Sequence, residues 1–511
     1  MTQDSRPVLV LGATGYVGGR LIPRLLAAGH RVRASARSAA KLACRPWAGH
    51  PGLDIVECDV LDPKSLRAAV AGCRAAYYLV HSMSPGTSHY ADTDRKAAQN
   101  MAAAAEAAGL EQIIYLGGLG TESSELSEHL RSRTEVGKIL SAGKVPCTWL
   151  RAAMILGAGS ASFEILRYLA ERLPIMITPT WVHTRCQPIA VSDVLGYLIG
   201  CLDLDSAKGQ TFDIGGPDIV TYAELFQLYA REAGLRKRII IPVPVLSPKL
   251  SSYWIHMITP IPAALGRPLA EGLRNTVVCT ENRIRDIIPR KLLGCTEAVH
   301  RAMQRVAQQQ VETCWSDAGE CTVPEWEDCG DAPYAGGTVE ECNFAVDLAA
   351  SPEQVWDKVV RIGGQNGWYY ASWLWELRGL MDRLLGGVGL RRGRRDPVDL
   401  RVGDALDFWR VLIVEKNHRL QLLAEMKLPG EAIFELRIIK TGENRCELRQ
   451  ISRFLPRGLG GIAYWKVLQP LHVILFKGML KTMARKIGCP ILGGPRPLSV
   501  SERVCVLPNS K

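Results

Sequence analysis

Three glycines near the start of the chain have the spacing of a phosphate-binding turn. The stretch VLVLGATGYVGG begins at Val8 with four apolar residues, which predict a short strand followed directly by a helix. At such a junction Gly12 permits the tight turn, Gly15 lets a pyrophosphate approach the backbone, and Gly18 lets the helix pack closely on the sheet. The N–H groups that begin the helix, together with its dipole, favour a phosphate there. The predicted phosphate-binding residues are Gly12, Thr14, Gly15, Tyr16, Val17 and Gly18.

The ends of the next predicted strands supply the rest of a dinucleotide site. A site that prefers NAD places an acidic residue after the second strand, where it accepts a hydrogen bond from the ribose 2′-OH. Here that strand ends in ASAR, with Arg37 in place of an acid, and a guanidinium can pair with a 2′-phosphate through two hydrogen bonds. We therefore expect NADP(H) as the cofactor, with NAD as the alternative. Four further residues at strand ends are predicted to line the adenine and the ribose: Asp59, Val60, Val80 and His81.

These residues need a scaffold, and the pattern of the first 311 residues provides one. Strand-like and helical segments alternate, which predicts an α/β domain with a parallel, doubly wound, Rossmann-like sheet. Two helix starts support it: Asp62 caps a helix with Pro63 at its first position, and Thr221 forms a capping box with Glu224. A Pro-rich run from Ile241 cannot form a regular helix, so we expect it to cover a pocket or a surface.

The second half of the chain predicts a separate domain. Residues 312–335 lose periodicity and gain acidic residues, Gly and Pro, which indicates a linker. Residues 336–490 contain a helix capped by Ser351, several strand-like runs and a long final helix, which together predict an α+β domain. Residues 491–511 are expected to form a C-terminal tail.

Composition excludes several classes of function. The 511 residues carry a net charge of +11, but no aromatic interleaving or reader motif accompanies the basic run RRGRRD (Arg391 to Asp396), so we expect no nucleic-acid partner and a solvated loop there. The fifteen cysteines form no CxxC pair, and the spacing of Cys314, Cys321 and Cys329 fits no zinc site, so no metal is expected. The first residues, MTQDSRP, have no apolar core of a secretory signal, which predicts a cytoplasmic protein.

Five stretches in about the first 240 residues together resemble the atypical, NmrA-like members of the short-chain dehydrogenase/reductase superfamily: GATGYVG, ECDVLD, QIIYLGGLG, QPIAVSDV and TFDIGGPDIVTYAEL. The chain is also similar to the nucleotide-binding accessory subunit of respiratory complex I, which implies NADPH binding without evident turnover. The C-terminal 170 or so residues resemble a domain of unknown function often fused to such sequences. Their SPEQVW helix resembles the START-like, helix-grip folds, which bind ligands.

The resemblance also implies catalytic residues, which this chain lacks. Active members carry a Ser after the fifth strand and a Tyr-x-x-x-Lys on the next helix, where the Lys lowers the pKa of the Tyr. Here Gly117 or Gly118 falls at the Ser position, and HLRSR places His129 and Arg133 at the Tyr and Lys positions. Arg133 is predicted to bind the ribose. His129 is the candidate catalytic residue, because it could move a proton, and an exposed helix histidine is the alternative.

Two functions follow for the first domain. One is an NADPH-dependent oxidoreductase that reduces a small apolar or quinone-like substrate, and the other is a non-catalytic NADPH-binding sensor or assembly protein. In the second domain, six aromatic residues and the final helix are predicted to line an apolar ligand pocket; these are Trp356, Trp368, Tyr369, Tyr370, Trp373 and Trp375. Two roles are open for the final helix. It either packs on the sheet, or it contacts the surface of the inner membrane peripherally. The residues that would make this contact are Lys477, Lys481, Arg485 and Lys486 and the apolar residues between them.

Overall fold

The chain divides into two compact units, Met1–Gly319 and Glu320–Lys511. This computed structural model describes residues 5–43, 45–81, 90–120, 127–243, 271–307, 313 and 339–498. The division between the units falls within the segment predicted as a linker. Most of the Pro-rich run predicted to cover a pocket lies outside the described residues, as do Cys314, Cys321 and Cys329.

The first unit is built on parallel strands joined by helices. Its strands are β1 (Val8–Leu11), β2 (Val32–Ala36), β3 (Leu53–Glu57), β4 (Ala75–Tyr78), β5 (Gln112–Gly118), β6 (Cys147–Ala152), β7 (Ile155–Leu156), β8 (Ile175–Pro179), β9 (Arg185–Cys186), β10 (Ile189–Ala190), β11 (Thr211–Ile214), β12 (Val220–Thr221) and β13 (Ile239–Val243). Its helices are α1 (Gly18–Ala27), α2 (Ala39–Ala43), α3 (Pro63–Val70), α4 (Tyr90–Ala108), α5 (Glu128–Ser141), α6 (Ala161–Arg172), α7 (Val191–Gly200), α8 (Tyr222–Glu232), α9 (Arg283–Ile287) and α10 (Cys295–Ala307).

Seven of these strands form one parallel sheet in the order β3-β2-β1-β4-β5-β6-β11. Alternate residues of β1 explain the two covered faces. Val8 and Val10 share one buried cluster with residues of α1 and α7, whereas Leu9 and Leu11 share another with residues of α3, α4 and α5. The doubly wound, Rossmann-like sheet is therefore confirmed.

Local capping sets two of the helix starts, as the sequence predicts. The Asp62 carboxylate accepts hydrogen bonds from the N–H groups of Lys64 (3.0 Å) and Ser65 (3.3 Å), with Pro63 at the first helical position. Thr221 and Glu224 form the reciprocal capping box at the start of α8. Two strands are shorter than the sequence predicts, because β3 ends at Glu57 and β4 ends at Tyr78.

The second unit is built around an antiparallel sheet. Its strands are β14 (Glu340–Glu341), β15 (Phe344–Leu348), β16 (Ala405–Leu406), β17 (Trp409–Glu415), β18 (Arg419–Ala424), β19 (Gly430–Gly442), β20 (Arg445–Pro456) and β21 (Ile491–Pro497). Its helices are α11 (Pro352–Val359), α12 (Ser372–Leu384) and α13 (Gly458–Ile487). The sheet order is β16-β17-β18-β19-β20-β15-β21, and β14 pairs with β20.

The long helix α13 packs on one face of this sheet. Phe434 and Leu436 of β19 and Leu448 of β20 are buried there with Phe476 and Leu480 of α13. The expected tail from residue 491 is wrong for Ile491–Pro497, because these residues pair with β15 as strand β21. The start of α11 is confirmed, with a capping box between Ser351 and Gln354.

The basic run of the second unit is not the solvated loop that its charge indicates. The side chains of Arg392 and Arg395 are 8% and 7% exposed. Arg392 forms an ion pair with Glu425, and Arg395 Nε lies 3.1 Å from the Asp404 carboxylate. Buried charges persist in proteins where they are paired, and the partners here lie in segments that follow the run by up to about 30 residues.

The aromatic segment of the second unit divides between core and surface. Trp356 and Trp368 are buried, whereas Trp373 is 64% exposed and Tyr370 is 38% exposed. Trp368 stacks on Trp375 with ring centroids 4.9 Å apart. The segment therefore contributes fewer rings to the core than its composition suggests.

Candidate cofactor-binding site

The glycine turn has the geometry that its spacing predicts. Gly12 has φ of +84°, and a Cβ there would lie 2.8 Å from the Leu79 carbonyl oxygen. A Cβ on Gly18 would collide with the Gly12 carbonyl group, so α1 can approach β1 only with glycine at this position. A Cβ on Gly15 would meet only the Gly12 oxygen, at 3.2 Å, and would otherwise occupy open space. The space beside Gly15 is the one a pyrophosphate would use.

The start of α1 is suited to an anion. Val17 is its N-cap and offers no side-chain hydrogen bond, and the first turn contains no acidic residue. The N–H groups of Gly15, Gly19 and Arg20 already donate to carbonyl oxygens of the turn, so the helix dipole is the feature that favours a phosphate here. Thr14, Tyr16 and Val17 are all partly exposed along this turn.

A buried arginine supports the turn from behind. Arg20 is 6% exposed and its guanidinium lies 4.5 Å from the centre of the Tyr16 ring. It donates hydrogen bonds to Thr313 Oγ1 (2.8 Å) and to the Ala158 carbonyl oxygen (2.7 Å), and Thr313 Oγ1 donates to the Tyr16 carbonyl oxygen (2.8 Å). Sequence reasoning missed Arg20 and Thr313, since 293 positions separate them. The buried cation adds positive potential at the predicted phosphate site.

The residues predicted to contact the nucleoside follow the strand ends closely. Arg37 is exposed and directly follows β2. Asp59 lies two residues beyond β3, and its carboxylate accepts a hydrogen bond from the Leu61 N–H at 2.9 Å. The Val60 carbonyl oxygen accepts from Asn100 Nδ2 at 3.0 Å, which ties this loop to α4.

The structure brings three predicted residues into electrostatic contact: His81 after β4, and His129 and Arg133 on α5. Burial, and then the nearby Arg133 guanidinium, lower the pKa of His129 to about 3. Although part of His81 is exposed, the surrounding protein desolvates its charged form, and Arg133 and His129 also lower its pKa. Both imidazoles are therefore neutral near pH 7, and a pKa of about 3 also makes His129 a weak proton acceptor.

The position of the usual serine is closed by packing. A Cβ on Gly117 would lie 2.5 Å from Trp149 Nε1, and a Cβ on Gly118 would lie 2.9 Å from Leu130 Cδ2. The Trp149 ring also fills the space beside Gly137 of α5. Trp149 was missed by sequence reasoning, and the glycines that face it were its only local signal. A Ser at either glycine would therefore have to displace one of these side chains.

A doubly wound sheet with a glycine turn at its first βα junction defines a dinucleotide-binding domain. A family described as NAD(P)H-binding matches residues 12–155, and a second family, described as a protein of unknown function (DUF2867), matches residues 338–479. The first unit therefore contains an NAD(P)H-binding domain, within residues 12–155.

Three individual proteins are similar to part of the chain. The chain is 24% identical over 303 residues to the NADH dehydrogenase (ubiquinone) 1 alpha subcomplex subunit 9, mitochondrial, of Arabidopsis thaliana, covering 56% of this chain and 75% of that protein. It is 23% identical over 245 residues to the photosystem II assembly factor Ycf39 of Cyanophora paradoxa, covering 47% of this chain and 73% of that protein. The triphenylmethane reductase of Citrobacter sp., crystallised with NADP(H), is 20% identical with a TM-score of 0.48, over 58% of this chain and 99% of that one.

The described residues contain neither a metal site nor a membrane-spanning helix. No group of three or more His, Cys, Asp or Glu residues within them could hold a metal ion. No helix in the described part of the chain is long and apolar enough to cross a membrane.

Proposed function

We propose that the first unit binds NADPH in preference to NADH and reduces a quinone-like substrate. The observation that carries the cofactor preference is Arg37, which directly follows β2 where an NAD site would place an acid. The glycine turn would hold the pyrophosphate, Arg37 the 2′-phosphate, and Arg133 the ribose. Bound NADPH would supply a hydride.

The substrate class follows from the missing acid. Reduction of a simple ketone leaves an alkoxide that needs an acid beside it, and the neutral His129 cannot serve as one at neutral pH. A quinone that accepts a hydride becomes a hydroquinone anion, which is stable enough to take its proton from water. Quinones and similar acceptors therefore suit this site better than aldehydes or ketones.

Oxidation of NADPH, followed at 340 nm, tests this proposal. The full chain should oxidise NADPH with a naphthoquinone and not with benzaldehyde. A catalytic role is excluded if NADPH binds but none of a panel of quinones, enones and aldehydes is reduced.

A non-catalytic NADPH sensor or assembly protein is the second candidate, and the packing at Gly117 and Gly118 favours it, because the space that the usual catalytic serine would need is filled. In that role NADPH would stabilise the first unit by mass action alone. A thermal shift with NADPH in the absence of any turnover distinguishes this candidate from the reductase.

We also propose that the second unit is a START-like, helix-grip domain that binds an apolar small molecule. The arrangement of an antiparallel sheet under a long helix supports this proposal.

Peripheral membrane contact through α13 remains a further proposal. Leu475, Phe476 and Leu480 face the sheet, whereas Val467 and Ile474 are 77% and 58% exposed. Sedimentation with anionic vesicles, compared with a Val467→Glu/Ile474→Glu variant, tests it.

A further inference from the structure

Several side chains of the second unit carry buried polar atoms that lack a hydrogen-bond partner among the described residues, and four of these side chains share one layer. The unpartnered atoms of these four are Trp409 Nε1, Trp465 Nε1, His472 Nδ1 and both amide atoms of Gln450. Trp409, Gln450 and Trp465 are only 5%, 0% and 3% exposed. We call these four residues the polar set. Their burial means that bulk water does not satisfy them.

The polar set lies in one layer, between the sheet and α13. Ring contacts connect three of its members: Trp409 to Phe434 (5.7 Å between centroids), Phe434 to Phe476 (5.8 Å), Phe476 to His472 (5.5 Å) and His472 to Trp465 (5.0 Å). Gln450 pairs in register with Leu436 on one side and with Phe344 on the other, and both neighbours belong to the same core.

The surroundings make these unpartnered atoms unusual. A Gln amide can form four hydrogen bonds and an indole N–H one, and in proteins nearly all such groups are partnered when they are buried. Here the neighbours are aromatic and aliphatic side chains, which offer no strong acceptor or donor. Replacing Gln450 by leucine would fit the layer better, so its amide is poorly explained by stability alone.

We propose that this layer binds a neutral, mainly apolar compound that carries carbonyl or hydroxyl acceptors. The two indole N–H groups can only donate, so the ligand must accept, and the Gln450 amide can both donate and accept. The rings of Phe434, Phe476 and Trp465 surround these polar groups with apolar surface, which suits a mainly apolar ligand. This inference rests on the proposed ligand-binding role of the second unit and specifies the chemistry of its ligand.

His472 fits the same ligand. Burial lowers the pKa of its imidazole to about 4, so it is neutral at neutral pH and brings no charge into the layer. Together with the indoles and the amide it provides polar groups without a charge, which disfavours an ionised ligand.

Two probes of matched shape test the chemistry. The full chain, without NADPH, is dialysed to equilibrium against 2,3-dimethyl-1,4-naphthoquinone or against 2,3-dimethylnaphthalene, which lacks the two carbonyl acceptors. The naphthoquinone should bind on the order of tenfold more tightly, the effect of about one buried hydrogen bond. Equal affinities for the two probes would overturn the assignment of acceptors to the ligand.

Two glutamine variants locate the site. Gln450→Leu should weaken naphthoquinone binding about tenfold while raising the melting temperature, because it removes an unsatisfied amide. The control is Gln421→Leu on the opposite face of the sheet, where Gln421 Nε2 donates to Glu435 Oε2 at 3.2 Å. That control should lower the melting temperature and leave binding unchanged.

The outcomes separate this inference from the broader proposal. Unchanged naphthoquinone binding in Gln450→Leu, or a lower melting temperature in that variant, overturns the site in this layer but not the broader proposal that the second unit binds a ligand. Failure of the wild-type chain to bind either probe overturns both this inference and the proposed ligand-binding role.

Discussion

The glycine turn of the first unit and the polar set of the second unit offer polar groups to a ligand in opposite ways. In the turn, the groups are backbone N–H groups within residues 12–18, and the three glycines that shape it lie within these seven consecutive residues. In the polar set, the groups are side chains on β17, β20 and α13, spread over residues 409–472. A site made from consecutive backbone is visible in the sequence, whereas a site made from distant side chains appears only after folding.

The largest effects are expected from two valine variants of the glycine turn, one on the stability of the first unit and the other on NADPH binding. Gly18→Val places a side chain against the Gly12 carbonyl group and should cost the first unit about 3 kcal/mol or more of unfolding free energy. Gly15→Val meets only the Gly12 oxygen at 3.2 Å, so it should preserve the fold and abolish NADPH binding. Urea unfolding and a tryptophan-fluorescence titration measure the two effects. Normal NADPH binding by Gly15→Val would place the cofactor elsewhere.

Arg37→Ala tests the side-chain part of the same site. Because a guanidinium that pairs with a phosphate contributes a charge-assisted hydrogen bond, the Kd for NADPH should rise roughly tenfold to a hundredfold. The Kd for NADH should hardly change, since NADH lacks the 2′-phosphate. If the wild-type chain binds both cofactors equally, the preference assigned to Arg37 is wrong.

The sequence reveals the scaffold of the first unit and the backbone part of its site because both depend on local signals. Strand and helix periodicity, the caps at Asp62 and Thr221, and the glycine spacing each need only a few consecutive residues. The packing of Trp149 against Gly117 and the contact of Arg20 with Thr313 depend on tertiary structure. The basic run Arg391 to Asp396 is predicted to be a solvated loop for the same reason, because its ion-pair partners are brought to it only by folding.

Acid unfolding tests the layer that holds the polar set. His472 has a pKa of about 4 in the folded chain and about 6.5 when unfolded, so the unfolded chain binds the proton first as the pH falls below 6.5. Stability is therefore lost between about pH 6.5 and pH 4, by about 2 kcal/mol at pH 5. His472→Phe should remove this part of the loss, as measured by urea unfolding at pH 7.5 and pH 5. The control is His418→Phe, whose histidine side chain is 59% exposed, and it should keep the wild-type loss.

The smallest effect is expected at Arg133, where the first unit also depends on side chains brought together by the fold. Removal of its guanidinium in Arg133→Ala should raise the pKa of His129, because the positive charge of Arg133 helps to lower it. Burial is the larger cause and remains, so the pKa of His129 should stay well below 6.5. An NMR titration of the His129 ring measures this shift.

The Kd for NADPH then tests whether Arg133 also binds the nucleotide. If its side chain contacts the ribose, Arg133→Ala should weaken NADPH binding several-fold, an effect of about 1 kcal/mol, whereas His129→Ala should leave the Kd unchanged. An unaltered Kd in Arg133→Ala would refute the placement of HLRSR on the motif of the superfamily. The site of the first unit would then consist of the glycine turn and the strand ends.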